Sequence, residues 1–393
     1  MKWLITFLLF AVSSAPVLAF EYSGNIAAEL QVFPQPALFE DQLDDSLSLS
    51  FKPKFSQVWN KGNDELSIEL FFRADDKDDE RQHADIREFK WLRVAGSQEW
   101  RIGIDTVFWG VTESQHLVDV INQIDSVEGV DGEDKLGQPM IHFTTIQDWG
   151  VFHAFVLTGF REETFHAKEG RLRFPLVVDN DQATYESSDE DSHIDYAIRY
   201  EHFLGDTEFG LSWFNGTNRD AGLSRGQNGS GQPVLIPYYS QMTQFGLDMQ
   251  SIIGDWIWKL EWITRDSNED TFNAVTAGFE YTFYGIMNSA IDLGTLLEYS
   301  WEDRDENVGV FDNDLFAGFR FAFNDVQSTE ILAGLIVDTD QQSKSLRVEA
   351  SRRLGDSWKL TGELQVFSAV AENDPLKAFE KDDYLLLELA RYF

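Results

Sequence analysis

The sequence predicts an all-β protein, a transmembrane antiparallel up-and-down β-barrel of about 18 strands. Three observations point there. Segments of about ten residues with alternating apolar and polar side chains recur along the chain, as strands with one apolar and one polar face require. The connections between these segments alternate short and long. Beyond residue 20, no stretch approaches the roughly 18 consecutive apolar residues that a membrane helix needs, so a chain entering a membrane must do so with strands. The mean hydropathy of −0.30 is compatible with this, because alternation hides a lipid-facing surface from a running average.

At the N-terminus, Lys2 precedes an apolar run from Trp3 to Val12 that is too short to span a bilayer, and Val17-Leu18-Ala19 offers small residues to a signal peptidase. Residues 1–19 are therefore expected to be a cleaved secretory signal peptide. Residues 20–393 are expected to be one barrel domain, since no linker or composition break divides them.

Several segments alternate cleanly. Leu66, Ile68, Leu70 and Phe72 oppose Glu65, Ser67, Glu69 and Arg73, with Phe71 as the exception, and Trp100, Ile102, Ile104, Thr106 and Phe108 oppose Glu99, Arg101, Gly103 and Asp105. Farther on, Trp256, Trp258, Leu260 and Trp262 oppose Lys259, Glu261 and Arg265, while Trp358, Leu360, Leu364 and Val366 oppose Lys359, Thr361, Glu363 and Gln365. A half-buried soluble sandwich would alternate too. Here charges of both signs share one face, and the other carries Trp and Phe near strand ends, as an aromatic girdle would.

Tight turns rich in Gly, Asn and Asp are expected at Asn60–Asn63, Ala95–Gln98, Gln147–Gly150, Leu204–Asp206, Ile253–Asp255 and Leu354–Asp356. Longer external loops are expected at Pro34–Asp45, Ala74–Gln82, Trp109–Gln138, Arg161–Asp191, Asn215–Tyr238, Glu302–Asn313 and Ala369–Lys381. The strand count falls to 16 if a weak pair, such as the one around Pro139–Thr145, is miscounted.

The last segment, Asp382 to Phe393, places Leu385, Leu387, Leu389 and Phe393 on one face and Tyr384, Glu388 and Tyr392 on the other. With its aromatic last residue it resembles the terminal strand of Gram-negative outer-membrane β-barrels. That resemblance implies an outer-membrane location, contact with membrane lipid and lipopolysaccharide, and recognition by the barrel assembly machinery. Arg391 departs from the pattern by sitting on the lipid face. At the interfacial end of a strand a snorkelling Arg costs only about 0–1 kcal/mol.

Composition excludes other classes. A formal net charge of −37 repels nucleic acid phosphates. The absence of cysteine removes disulfide scaffolds and thiolate metal or nucleophile sites. Aromatic residues at 14% are too many for a disordered acidic chain. No phosphate-binding, nucleophile-elbow or zinc-protease motif occurs, and none of the seven histidines pairs with another at i, i+4, so the chain is not expected to be an enzyme. A lipid-facing Ser and His on neighbouring strands, as in an outer-membrane lipase, is the one catalytic arrangement that alternation leaves open. No cofactor is expected. Acidic clusters at Asp75-Asp76 with Asp78-Asp79-Glu80, at Asp189-Glu190-Asp191, and at Glu302-Asp303 with Asp305-Glu306 suit solvated loops. They could also hold Ca²⁺ or Mg²⁺ bridging to lipopolysaccharide, although none has EF-hand spacing.

The segment Trp109 to Gln138 follows the fifth strand. Its Glu113, His116, Asp119, Asn122 and Asp125 interleave with Leu117, Val118, Val120, Ile121 and Ile124, more branched apolar residues than an exposed loop needs. In position and content it resembles the inward-folded third loop of diffusion porins. The string Trp-Gly…Leu-Val-Asp-Val-Ile-Asn-Gln-Ile-Asp also looks like a segment of poorly characterised porin-like families, except that Gln123 stands where Pro usually follows Asn. The resemblance implies a constriction formed by Trp109, Glu113, His116, Asp119, Asn122 and Asp125. A purely structural reading has Asp119, Asn122 and Asp125 tie the loop down.

The inward faces carry Lys52, Lys54, Arg73, Arg101, Arg199, Lys259, Arg320, Arg347, Arg353 and Lys359 among Glu69, Asp105, Glu201, Glu261, Glu298, Glu349 and Glu363. In a water-filled lumen such a ladder disfavours apolar solutes; in a plugged one it would be paired structurally. The expected function is a porin-like channel for passive diffusion of small hydrophilic solutes or ions, which can be monomeric or oligomeric. The alternatives are a substrate-specific export or uptake channel and a non-conducting adhesin or structural barrel. Glu113, Asp119, Asp125, Glu128 and Asp131 in the loop lead to an expectation of cation preference.

Overall fold

The computed structural model describes residues 20–129, 131–304 and 312–393. The expected signal peptide, residues 1–19, and the acidic pair Asp305-Glu306 lie outside the described residues.

Within the described residues the strands are β1 (Glu21–Val32), β2 (Asp45–Trp59), β3 (Asp64–Asp75), β4 (Ala84–Ala95), β5 (Gln98–Asp105), β6 (Gln138–Gln147), β7 (Gly150–Thr158), β8 (Thr184–Tyr185), β9 (Ile194–Leu204), β10 (Thr207–Thr217), β11 (Gly222–Gln227), β12 (Pro233–Tyr239), β13 (Gln241–Ile253), β14 (Trp256–Ser267), β15 (Thr271–Phe283), β16 (Asp292–Glu302), β17 (Asn313–Ala322), β18 (Glu330–Asp338), β19 (Lys344–Leu354), β20 (Trp358–Ser368) and β21 (Tyr384–Tyr392). Eighteen of these form one sheet. All but β8, β11 and β12 belong to it, each hydrogen-bonded antiparallel to its neighbour in sequence. The sheet closes where β21 pairs with β1, from Asn25 opposite Tyr392 to Val32 opposite Leu385. Closure leaves no open edge, which is what allows a sheet to sit in lipid. Pro139–Thr145 lies inside β6, a full strand paired with both β5 and β7.

Alternation sets the two faces as the sequence predicts. Leu385, Leu387 and Leu389 point outward and are exposed, and Arg391, on the same face, lies 5.7 Å over the Trp358 ring. That contact lets its aliphatic stem cover an aromatic surface while the charge stays at the rim. Outward aromatics cluster at the short-turn end, where Trp256 stacks on Trp258 at 5.9 Å and meets Tyr281 at 4.8 Å.

Two connections at that end, 284–291 and 323–329, are longer than the tight turns the sequence announces. Backbone bonds from Ile286 N to Ile291 O and from Phe323 N to Thr329 O close them internally. Conversely, the connections at 268–270 and 339–343 are short although they lie at the long-loop end. The loop expected at Asn215–Tyr238 contains most of the hairpin β11–β12, which forms a separate sheet with β8 beside it in parallel.

Two local departures from regular alternation shape the interior. Opposite β3, the register of β4 shifts between Glu69 and Leu70, so that Arg87 is passed over in the pairing and both Arg87 and Glu88 reach the lumen side. Phe71, the exception in its strand, points inward, is 1% exposed, and sits beneath Lys52 and Arg87 at 5.0 and 4.7 Å. Second, β5 stops at Asp105, so Thr106 and Phe108 belong to the loop rather than to the strand's outer face. The Asn122 side chain ends the strand by accepting from Val107 N at 2.8 Å and donating to Asp105 O at 3.0 Å.

Candidate functional site

The 106–137 segment, hereafter the inner loop, folds into the barrel. Its apolar residues pack against one half of the inner wall: Val118, Val120 and Ile121 are buried with Phe155, Leu157, Phe214, Met242 and Ile263 in the main apolar cluster. Burying these side chains is worth roughly 1.5–3 kcal/mol each, which explains why a loop flanked by water-facing strands carries them.

Two wall carboxylates hold the far end of the loop. Glu261 on β14, fully buried, accepts from Val111 N at 2.7 Å, Thr112 N at 3.0 Å, Thr112 Oγ1 at 2.7 Å and Val118 N at 3.2 Å. Glu298 on β16 accepts from Glu113 N at 2.9 Å, Ser114 N at 2.8 Å and Ser114 Oγ at 2.7 Å. Backbone N–H groups in a non-repetitive loop have no ladder to join, and a carboxylate is the strongest acceptor available to them.

The returning arm is tied in a different way. Asp125 N donates to Asp134 O and Leu136 N to Gln123 O, both at 2.8 Å, and Asn122 also donates to Leu136 O at 2.9 Å. Glu128 at the turn is gripped by Arg73 at 2.7 Å, and Arg81 donates to Val127 O at 2.8 Å. Burial opposes charge on Glu128, yet His83, Arg73 and Arg81 together hold its carboxyl well below the usual carboxylate range.

The six loop residues singled out in the sequence take different places. Trp109 packs edge-on against Phe155 at 5.6 Å and under Arg199 at 5.3 Å. Glu113 faces Arg320 at 2.9 Å. His116 bonds Glu133 at 2.9 Å and meets Phe108 edge-on at 4.8 Å. Burial works against a charged His116, but the Glu133 hydrogen bond and charge, with Glu261 and Asp119 nearby, raise its pKa. Asp119 is buried beside Lys135 at 3.2 Å, and desolvation pushes its carboxyl up in spite of that lysine. Asn122 clasps the two ends of the loop. Asp125, fully buried, accepts from Thr164 Oγ1 at 2.7 Å and pairs with Arg87. Asn122 and Asp125 thus serve as ties, whereas the side chains of Glu113 and His116 stay partly exposed.

Most of the charge ladder on the wall is matched: Lys259 pairs with Glu280 at 3.6 Å, while Arg353 and Lys359 make no ion pair among the described residues. Lys54 pairs with Glu69 at 3.1 Å, Arg101 with Glu99 at 3.3 Å, and Arg199 with Asp248 at 2.5 Å. Arg347 gathers Asp131, Glu349 and Glu363 at 2.6, 2.5 and 3.0 Å, and Asp105 takes Lys90 at 2.8 Å. Arg73, Arg320 and Glu261 bind the inner loop as described. Each of the five loop acids expected to set a negative entrance has a basic partner: Glu113 with Arg320, Asp119 with Lys135, Asp125 with Arg87, Glu128 with Arg73, and Asp131 with Arg347. Among the described residues Lys52 has none within ion-pairing distance. It borders a cavity of 370 Å³ between β2–β4 and the two ends of the inner loop, lined also by Glu69, Phe71, Arg87, Phe108, Glu133, Asp134 and Lys135.

Sequence reasoning missed how one long loop crosses the mouth. The 160–193 segment, hereafter the crossing loop, reaches from β7 to the opposite rim, where fully buried Arg171 bonds Asp382 at 2.7 Å and Leu43 O at 3.2 Å. His166 reaches Asp78 at 2.8 Å and Lys168 reaches Asp41 at 2.5 Å. Arg219, equally unannounced, donates to Ile121 O at 3.0 Å and to Asp195 at 2.8 Å. The acidic cluster at 75–80 is partly spent on such contacts: Asp75 takes Arg81 and Ser46, and Asp78 takes His166. Among the described residues no group of three or more acids or histidines is arranged to hold a metal.

No family model matches the chain, and no curated protein does. Solved structures with a similar course include a double mutant of Rh. blastica porin, 10% identical, with 95% of this chain and 100% of that one covered at a TM-score of 0.45. In vitro folded OmpT of Vibrio cholerae, described in its trimer form, is 11% identical over 95% of this chain and 99% of that one at 0.47. A loop-deletion mutant of that OmpT is 8% identical over 95% and 99% at 0.48.

Proposed function

We propose that this barrel is an outer-membrane channel through which small hydrophilic solutes and ions diffuse passively, narrowed by the inner loop and filtered by the charges of the wall. The carrying observation is the anchoring of one loop to opposite sides of the lumen, by Glu261 and Glu298 on one side and Arg73 and Arg87 on the other. A loop stretched across a tube divides its cross-section. The charged cavity beside Lys52 belongs to the part left over. Lipid and lipopolysaccharide are the expected surroundings of the outer face, with the long loops to the exterior.

A second reading, a closed structural barrel, draws on the pairing of most wall charges and on the crossing loop over the mouth. Planar bilayers separate the two. The refolded chain 20–393 should give discrete conductance steps, and removing residues 112–132 should raise the step size while heat-modifiable gel migration and β circular dichroism persist. A silent bilayer with correctly folded protein would favour the closed barrel.

A further inference from the structure

The cavity beside the inner loop is bordered by two opposite charges that lack an ion-pair partner within 4.0 Å among the described residues, although Lys52 acts at longer range on Asp134 and on Glu388 of β21. Most of its charged lining is spoken for: Glu69 by Lys54, Arg87 by Asp125, Lys135 by Asp119, Glu133 by His116. Lys52 and Asp134 are not. Among the described residues, no carboxylate lies within 4.0 Å of Lys52 Nζ, and the Asp134 carboxylate accepts no side-chain hydrogen bond and makes no ion pair. The two stand on different surfaces of one space. Lys52 projects from the wall strand β2, 5.0 Å over Phe71, and Asp134 from the returning arm of the inner loop. Burial pushes the Asp134 carboxyl above its ordinary value, with Lys52 the first of the charges pulling it back. A half-desolvated carboxylate of this kind gains from any cation delivered to it.

We propose that this cavity is a transit site for free amino acids and related small zwitterions, the solute's carboxylate resting on Lys52 Nζ and its ammonium on the Asp134 carboxylate. The inference rests on reading the lumen as a diffusion path. A simple anion would satisfy Lys52 and be repelled by Asp134; a simple cation would meet the reverse. A solute carrying both charges answers both groups in one molecule. The volume of 370 Å³ is ample for one amino acid with some water, and Phe71 and Phe108 offer apolar surface to an aliphatic side chain.

Leucine is therefore the probe, with isovalerate and isopentylamine as analogues of the same carbon skeleton bearing one charge each. Saturation-transfer NMR on the full mature protein in detergent should show leucine contacting the protein more strongly than either analogue. Lys52→Met and Asp134→Asn should each weaken leucine about tenfold, the value of one lost charge-assisted contact, and Lys52→Arg should restore it. In bilayers, millimolar leucine should reduce the ion current of the wild type and not of Lys52→Met. Equal binding of leucine and its singly charged analogues, or unchanged leucine binding in both variants, would overturn the site while an ion current kept the channel. Specific leucine binding in a protein that passes no current would keep the site and overturn the channel.

Discussion

The inner loop and the crossing loop are both long connections at the same end of the barrel, and they solve the problem of staying folded in opposite ways. The inner loop turns into the lumen with an apolar face, then fastens its backbone to wall carboxylates. The crossing loop stays at the mouth, and its far contact is a fully buried ion pair, Arg171 with Asp382, supplemented by carbonyl oxygens of Leu43 and Lys381. The difference is one of solvent. Inside the tube, apolar burial can carry the loop and polar contacts need only orient it; at the mouth, where Phe174 meets Phe165 and Phe379 at 6.5 and 6.0 Å, a desolvated charge pair adds a fixed geometry to ring contacts.

The largest effect is expected at Arg171. Arg171→Ala leaves Asp382 buried without a counter-charge, so docking of the crossing loop should weaken by about 3–5 kcal/mol. Limited proteolysis within residues 160–193 would report it, with the melting of the barrel itself unchanged. Replacing both partners by Met and Leu should recover much of the loss. If the single variant left the loop protected, the ion pair would not be what holds it.

Next comes Glu261→Ala, which orphans the amides of Val111, Thr112 and Val118 at a cost of about 3 kcal/mol. Hydrogen exchange at those amides should accelerate strongly, while the loop's apolar half, resting on Phe155 and Met242, stays protected. Equal acceleration across the loop would mean that the carboxylate, not the apolar face, carries it. Asn122→Ala should cost less, about 2 kcal/mol, with faster exchange at Val107 as its signature.

The smallest effect sharpens the contrast where the two loops touch. Ser126 of the inner loop donates to Glu163 of the crossing loop at 2.6 Å, and burial, only partly offset by that bond, raises the Glu163 carboxyl to about 7. An acid whose folded pKa exceeds its unfolded value of 4.5 keeps a proton that the unfolded chain has lost, so the contact weakens as pH rises from 4.5 to about 7 and then levels off. Exchange at residues 126–127 should be slower at pH 5 than at pH 8 after correction for intrinsic rates, and Glu163→Gln should remove that difference.

Much of this architecture was legible in the sequence because a barrel writes its two faces into a period of two. The 18-strand count and the outward Leu385, Leu387 and Leu389 follow from that period. The inner loop announced itself by apolar residues in a place where water was the default neighbour. What stayed hidden depends on contacts between segments far apart in the chain. Nothing local marks Arg171 as the partner of Asp382, and nothing at Arg87 reveals a register shift that turns it inward beside Phe71. The cation preference expected from the loop acids failed to anticipate their pairing for the same reason: each partner sits on a different strand of the wall. Lys52 is among the charges left without an ion pair in the described residues.

The far anchors of the inner loop also fix a timetable. Glu261 stands 150 residues beyond Val111, and Glu298 stands 185 beyond Glu113. Contacts of such long range are made late, because the intervening chain must be ordered before they repay its entropy. Val118, Val120 and Ile121 therefore stay uncovered through the early part of assembly, until β7, β10 and β13–β14 come round to meet them. A carrier escorting the unfolded chain has to shield this stretch, and a chain broken off before β14 would expose it permanently, making the loop that defines the finished tube the stickiest part of an unfinished one.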